Sequence, residues 1–313
     1  MARIRHWVRN HSRGLGIGIF ILTLILNNIF EFPRLWGQIP LGWVITVLLI
    51  VVLNLHLIPQ YWAKVWIPIK YGFQLPNKDN YTCKNDYILP FTGRWCVWEG
   101  GLTKELSEGW SELIMRYAYF FVILDDNGNY LKSNDSTFDN NLCFGQDVLA
   151  ASDGVVVKVS NKHSDCPDSK ANNAMDYTGT SDVMGNHIVI RHNKNEYSSV
   201  GNLMRDSITV KVGDKVKQGN VIAKCGNSGY LTDEPCLHFQ LQSSKSFNLS
   251  SSLPIAFTNI KAEDSAAYDL CYKNEGEKRP STQGSLVVVG NKSYIGRGLD
   301  VENGCSNHRE SAT

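Results

Sequence analysis

The sequence has almost no net charge and few charged residues. Lysine and arginine number 31 against 30 aspartates and glutamates, so the formal charge is +1, and only 19% of the 313 residues are charged. A protein that neutralises phosphates needs a basic surplus, so the composition argues against nucleic acid as a partner. Hydrophobic residues make up 43%, which excludes a disordered polar chain. The composition fits a membrane region plus one or two globular parts.

Cysteine is absent from the N-terminal part of the chain. All eight cysteines lie beyond Gln60, and none belongs to a CxxC pair of the kind that forms a zinc ribbon. An even, scattered set predicts disulfide bonds in an oxidising compartment, and the composition does not select the pairing. The cysteines are Cys83, Cys96, Cys143, Cys166, Cys225, Cys236, Cys271 and Cys305.

Charged residues are also absent from two long apolar stretches, residues 14–30 and 41–58. Each reaches the lower limit of about 17 residues that a helix needs to cross a bilayer. We therefore predict two transmembrane helices within residues 1–76, which makes the membrane a partner of the chain. Four arginines precede the first stretch and favour a cytoplasmic N-terminus.

Two rules place the rest of the chain on opposite sides of the membrane. Two spans return the chain to its starting side, and Lys64 and Lys70 flank the exit, so the positive-inside rule places the large domain in the cytoplasm. The cysteines place it outside. We prefer the cysteine argument and expect an extracytoplasmic domain, periplasmic or outer. Either one stretch is then re-entrant or interfacial, or the N-terminus is external.

From residue 77 the pattern is typical of many short strands, with Val- and Ile-rich runs between Asn, Asp, Ser and Gly. It predicts a mainly antiparallel β domain over residues 77–258. Residues 259–313 form a C-terminal extension that Cys271 and Cys305 are expected to tie down. One helix is expected at residues 103–115, where apolar residues recur near helical spacing. The clearest strands are predicted at residues 148–159, 186–192, 207–212, 220–224, 236–242 and 285–289.

Five motifs follow one another in a specific order. They are FGQDVLAASDGVV at residues 144–156, GNHIVIRH at 185–192, VGDKVKQG at 212–219, GNSG at 226–229 and PCLHF at 235–239. Together they closely resemble the lysostaphin-like (LytM-type) zinc endopeptidase family over roughly residues 87–243. The resemblance implies a groove-forming antiparallel β-sheet and, in active members, one zinc ion used to cut peptide cross-bridges of peptidoglycan.

The family's reactive positions are mostly substituted. A catalytic zinc needs three protein ligands, an open position for water and a base. In the resemblance, Arg116 and Phe120 stand at the early metal-binding positions, Asn202 at the middle His, and Cys236 at the first His of the final His-x-His. His238 alone remains. Since a phenyl ring cannot ligate metal and a single imidazole cannot hold zinc, the chain is identified as a degenerate member, for which we expect no catalytic residue and no cofactor.

The resemblance also suggests which residues bind in the groove. Alternation along the last strand puts residues i and i+2 on one face, so His238 and Gln240 are groove-binding candidates. Asn202 is a third candidate, because it stands at the position of the family's middle His. Cys225 lies across a short turn from Cys236, and these two are the candidate disulfide pair.

The sequence supports three classes of function. The first is a membrane-anchored, inactive domain that binds cell-wall peptides or a partner envelope enzyme. The second is an active zinc endopeptidase that cuts peptidoglycan cross-bridges, with ligands among His163, His192 and His238 together with an Asp. The third is a structural ectodomain of an envelope complex. Zinc-dependent cleavage of wall material separates the second from the other two.

Overall fold

The computed structural model describes residues 58–133, 138–165, 184–229 and 235–304, and a few residues before them: 34–35, 39–40, 44 and 48. The first predicted membrane stretch, residues 14–30, lies outside the described residues, as does the second, residues 41–58, except for Val44, Leu48 and Ile58. Across the part of the chain that is described, no helix is long and apolar enough to span a bilayer.

The chain divides into two compact units: Met1–Trp62 with Thr178–Thr180, and Ala63–Tyr177 with Ser181–Thr313. In the first unit, strands β1 (Arg34–Leu35) and β2 (Ile39–Pro40) pair antiparallel.

The second unit is built on antiparallel strands, which confirms the predicted mainly antiparallel β domain. Ten of the described strands form one sheet in the order β14-β17-β3-β4-β11-β8-β7-β6-β9, with β12 paired to β11. Strands β5 and β10 pair separately, and β13, β16 and β15 form a small third sheet. The bounds are β3 Trp95–Glu99, β4 Tyr119–Val122, β5 Asp147–Leu149, β6 Gly154–Ser160, β7 His187–Asn193, β8 Glu196–Gly201, β9 Lys215–Val216, β10 Val221–Lys224, β11 Leu237–Gln242, β12 Ser252–Leu253, β13 Phe257–Thr258, β14 Ile260–Asp264, β15 Val287–Val289, β16 Lys292–Tyr294 and β17 Leu299–Asn303.

Two α-helices accompany these strands in the described residues: α1 (Ile58–Lys70) and α2 (Ala266–Glu275). Short 3-10 turns occupy Glu108–Ser111, Phe138–Asn140 and Phe247–Leu249. The Ser265 hydroxyl caps the start of α2 by accepting from the backbone N–H of Tyr268 at 3.1 Å.

The main sheet buries its two faces differently. Because side chains alternate along a strand, Ile188, Val200 and Phe239, which lie side by side on β7, β8 and β11, all point into the large apolar core. The residues next to them along the strands, among them His187 and His238, point to the opposite face. That face carries the candidate site.

The C-terminal segment is an integral part of the sheet rather than an appendage. Strand β14 pairs with β17, and β17 pairs with β3, so the segment supplies two of the sheet's strands. Tyr268 and Cys271 of α2 pack with Phe120 in a second apolar cluster. Cys271 is buried by this packing and forms no disulfide, whereas Cys305 lies outside the described residues.

A buried carboxylate fastens the segment before β3 to the sheet. Glu196 on β8 is fully buried and accepts hydrogen bonds from the hydroxyls of Tyr81 and Tyr87, the amide of Asn85 and the backbone N–H of Lys84. A buried charge is tolerated only with such partners, so this contact is structural.

The predicted helix at residues 103–115 is wrong. Instead, successive turns closed by backbone hydrogen bonds between residues i and i+3 run through this segment, and one of them is the 3-10 turn at Glu108–Ser111. The Glu99 carboxylate accepts the backbone N–H of Glu108 at 2.8 Å and that of Gly109 at 3.3 Å, which holds the chain in turns. Tertiary contacts here override the helical spacing of the apolar residues.

Two of the predicted strands also differ from the structure. Residues 207–212 form no strand, because local side-chain contacts replace part of the ladder: Thr209 Oγ1 donates to the Val221 carbonyl and Asp214 accepts from the Lys211 N–H. The run at residues 148–159 is divided between β5 and β6, which belong to different sheets. The remaining predicted strands occur with bounds shifted by a few residues.

Candidate functional site

The centre of the site is a row of three residues across neighbouring strands. His238 on β11 lies opposite Phe120 on β4 and opposite Gly201 on β8. The rings of His238 and Phe120 stand perpendicular, with their centroids 4.9 Å apart. The structure therefore brings the only retained metal-binding position next to the position where a phenyl ring replaces a carboxylate.

The His238 imidazole is buried and neutral. Its exposed fraction is 1%, and burial lowers its pKa to about 4, an effect that the nearby His187 adds to and a hydrogen bond with Gln240 opposes. Nε2 donates to Gln240 Oε1 at 3.2 Å, which leaves the lone pair on Nδ1. Nδ1 has no hydrogen-bond partner among the described residues. A buried polar atom without a hydrogen-bond partner costs about 1 to 3 kcal/mol of stability.

A chain of side-chain amides continues from His238 along β11. Gln240 Nε2 donates to Gln242 Oε1 at 2.8 Å and to the backbone carbonyl of Ile114 at 3.1 Å. Gln242 Nε2 donates in turn to the carbonyl of Ser244 at 2.8 Å. These groups are buried and satisfied by the protein itself, so the described conformation offers none of them to a ligand.

Asn202 and Cys236 meet at the same end of the site. Asn202 Nδ2 donates to the Cys236 carbonyl at 2.8 Å and lies 3.4 Å from its Sγ. Asn202 Oδ1 accepts the Gly229 N–H at 2.6 Å. The backbone of Asn202 is left-handed, with φ of 61°, which asparagine tolerates better than most residues. The substituted positions thus converge in space, and Asn202 links strand ends rather than serving as a base.

The groove face is closed by other parts of the same chain. Ile114, Met184 and Phe247 form an apolar cluster, which we call the covering cluster, and Ala63 and Ile67 of α1 pack against it.

Two contacts seat the covering cluster on the groove face. The Ile114 carbonyl accepts from Gln240, and the Ser199 hydroxyl on β8 contacts Met184 Sδ at 3.5 Å. A Cβ at Gly201 would lie 2.9 Å from the Met184 carbonyl, so glycine is required for Met184 to approach β8. The sequence motifs predicted a groove but did not indicate its cover, because the covering residues come from three distant segments.

Arg116, the other substituted metal-binding position, faces away from this centre. Its guanidinium lies 5.0 Å from the Trp110 ring centroid, and its Nε donates to the Trp110 carbonyl at 3.1 Å. The alternative ligands do not join His238 either. His192 donates through Nδ1 to the Asp153 carbonyl and accepts at Nε2 from Ser198, and the His163 N–H donates to Asn186 Oδ1.

The residues present do not fit a zinc ion. Across the described residues, no three His, Cys, Asp or Glu side chains lie together as a metal site requires. At the site itself, one imidazole faces a phenyl ring, and the Asn202 amide is already engaged at both ends.

The predicted Cys225–Cys236 disulfide is not formed. The six described cysteines are buried and none forms a disulfide. The Cys225 side chain lies in the large core beside Cys143, whereas the Cys236 side chain packs in the second cluster with Phe120. The two side chains thus pack in different apolar clusters and form no bond with each other.

Residues 136–249 match the sequence profile of peptidase family M23. These residues form an M23 domain. The match confirms the resemblance carried by the motifs, and β3, β4, β14 and β17 extend the M23 domain's sheet beyond the matched residues. No curated protein matches the chain.

Several solved structures are similar to part of the chain. The chain is similar to a zinc-containing peptidase from Vibrio cholerae, with 21% identity, a TM-score of 0.32, and coverage of 54% of this chain and 39% of that one. It thus spans well under two thirds of that peptidase. It is also similar to the catalytic domain of lysostaphin from Staphylococcus simulans, with 22% identity, a TM-score of 0.27, and coverage of 56% and 90%. A mutant catalytic domain of the prophage-encoded protein EnpA from Enterococcus faecalis shares 16% identity, with a TM-score of 0.29 and coverage of 57% and 92%.

Proposed function

We propose that this protein is a membrane-anchored M23 domain that does not hydrolyse peptides and that acts by binding a partner protein of the cell envelope. The observation that carries the proposal is the closed groove, in which Phe120 packs against His238 and the covering cluster lies over the face. Membership of M23 is consistent with a function related to peptidoglycan.

A partner protein is favoured over a wall peptide as the ligand. A peptide in the groove would have to displace Ile114 from Gln240 and Met184 from Ser199 before reaching His238. Both contacts are buried, and the peptide would have to replace their hydrogen bonds. A protein can instead use the outer surface and leave the groove closed.

The side of the membrane is part of the proposal and has its own test. The extracytoplasmic location was inferred from predicted disulfides, and the six described cysteines form none, so the location needs a direct measurement. Protease added to intact spheroplasts should cleave the domain if it lies outside. Protection until the membrane is permeabilised would place it in the cytoplasm.

The decisive test of non-hydrolysis is zinc content together with cleavage. The full chain, purified in detergent, loaded with zinc and desalted, should retain far less than one zinc per chain and leave peptidoglycan cross-bridges intact. The variant His238→Ala should retain the same amount. One zinc per chain that is lost in His238→Ala, in protein that remains folded, would establish the active endopeptidase instead.

Binding to purified peptidoglycan separates the two ligand classes. We expect no saturable binding of the full chain to sacculi and no effect of Gln240→Ala. Saturable binding that Gln240→Ala weakens, while the exposed-site control Val212→Ala does not, would make the groove a peptide site and contradict the partner-protein proposal.

A further inference from the structure

Helix α1 packs on the domain through one face and leaves the opposite face apolar and exposed. Ala63 and Ile67 are buried, whereas Val65, Trp66 and Ile69 are 53%, 42% and 54% exposed. At about 100° per residue, the three exposed side chains share one arc of the helix. Since a surface helix of a soluble domain usually turns charge outward, this arc is an unusual surface.

Lysines border this apolar arc on both sides. Lys64 and Lys70 lie at its two margins and are exposed, with Lys64 paired to Glu112 at 2.8 Å. An apolar stripe between lysines, with a tryptophan on it, is typical of a helix that lies in the headgroup layer of a bilayer.

The end of α1 directs a phenyl ring into solvent. Gly72 and Phe73 are both left-handed, with φ of 56° and 63°, and the Phe73 N–H donates to the Pro68 carbonyl at 2.7 Å. Phe73 is 78% exposed. A left-handed conformation is strained for a bulky residue, so the fold holds this ring outward at a cost, which indicates a use for it.

A cleft of about 650 Å³ is lined by Phe73 and by the cation Arg116. Arg116 lines the cleft, clamped by Trp110, and none of the described carboxylates forms an ion pair with it. Lys78 also lines the cleft and is paired with Asp79, so the three charges sum to one positive.

Exposed apolar residues of a second segment also border the cleft. Val287 lines the cleft, and Leu286, Val288 and Val289 beside it are exposed on the β15–β16 hairpin. Apolar side chains from two segments of the chain therefore border a cationic cleft.

We propose that this surface docks on the membrane, with Phe73 and the β15–β16 hairpin entering the apolar layer and Arg116 binding the phosphate of an anionic lipid. The sequence favours this occupant because α1 directly follows the apolar stretch of residues 41–58, and a chain anchored by that stretch cannot carry α1 far from the bilayer. Arginine binds phosphate through two parallel N–H bonds, and anionic lipids attract such cations. The inference rests on the membrane anchoring of the proposed function and is independent of whether the groove hydrolyses peptides.

The test uses the full chain in lipid nanodiscs and a polarity-sensitive fluorophore on single cysteines. Phe73→Cys and Val288→Cys report on the surface, and Val212→Cys, whose native residue is 60% exposed on a turn before β9, is the matched control. The reporter cysteines are introduced into a chain that carries Cys166→Ser and Cys305→Ser. The other six cysteines are kept, because they are buried. We expect nitroxide-labelled lipid to quench the fluorophore at positions 73 and 288 and not at position 212. Equal quenching at all three positions would overturn the proposal.

The headgroup contact is tested by lipid composition. Adding phosphatidylglycerol to phosphatidylcholine discs should deepen quenching at position 73, and Arg116→Gln should abolish that increase while Arg116→Lys retains part of it. Soluble glycerol phosphate should not compete; if it abolishes the increase, the cleft binds free phosphates rather than lipid and this part of the proposal fails. Failure of the chain to enter nanodiscs would instead overturn the membrane anchoring itself.

Discussion

The His238 imidazole and the Phe120 ring meet at 89° to one another, with 4.9 Å between centroids, at the point where active members of the resembled family are expected to hold a metal. Here a contact between two rings takes the place of a pair of metal ligands. Such a ring contact stabilises the fold by about 0.5 to 1.5 kcal/mol in addition to the effect of burying the rings. The retained histidine is therefore part of the packing of the M23 domain.

Stability should fall in mild acid because of His238. Its pKa is about 4 in the folded protein and 6.5 when unfolded, so between these values the unfolded state binds more protons and acid favours unfolding. Stability should be about 2 kcal/mol lower at pH 5 than at pH 7.5, a drop of about 4 to 8 °C in melting temperature. The variant His238→Phe should show a smaller pH difference than the wild type. Equal pH differences in thermal melts of the two proteins would contradict the assignment.

Restoring the early carboxylate should destabilise the domain without creating a zinc site. Phe120→Asp removes a buried ring and places a charge against apolar neighbours, at a cost of about 3 to 5 kcal/mol. Phe120→Leu is the control and should cost about 1 to 1.5 kcal/mol. Melting temperature and zinc content measure the two effects. A stable Phe120→Asp variant that retains one zinc per chain would show that the groove is still competent to bind metal.

Gly201→Ala should displace the cover from the groove. The new methyl group would lie 2.9 Å from the Met184 carbonyl and 3.0 Å from its side chain, so Met184 must move. We expect a loss of about 1 to 3 kcal/mol and faster alkylation of Cys236 on the same face. Val212→Ala on the exposed turn should change neither quantity, and unchanged Cys236 alkylation in Gly201→Ala would show that Met184 does not cover this end.

The described cysteines should be unreactive in the folded protein and alkylated once it unfolds, without any reductant. Burial raises the pKa of Cys83 to about 11 and that of Cys271 to about 12, so little thiolate forms at pH 8. Mass spectrometry of protein alkylated before and after denaturation counts the thiols. Fewer than six alkylated cysteines after denaturation would mean that disulfides form in the native compartment.

The sequence predicted well those features that neighbouring residues encode. The alternation of β7 and β11 and the order of the five motifs led to the antiparallel sheet and to family M23. The substituted positions Phe120, Asn202 and Cys236 were also found at the site, because each lies at a fixed offset from a motif.

Tertiary structure decided the state of the site. The groove is closed by α1, Ile114 and Met184, which meet only after the chain folds, and no local pattern distinguishes their burial from ordinary core packing. Arg116 does not face the metal position, because its side chain packs on the ring of Trp110. Trp110 itself lies in a 3-10 turn and not in the predicted helix. Thus the sequence by itself determined the strands, the family and the loss of the reactive groups, since these depend on local alternation and residue identity. Only the tertiary structure decided the closure of the groove, the packing of Cys225 and Cys236 in different apolar clusters and the cationic cleft, since these depend on contacts between distant segments.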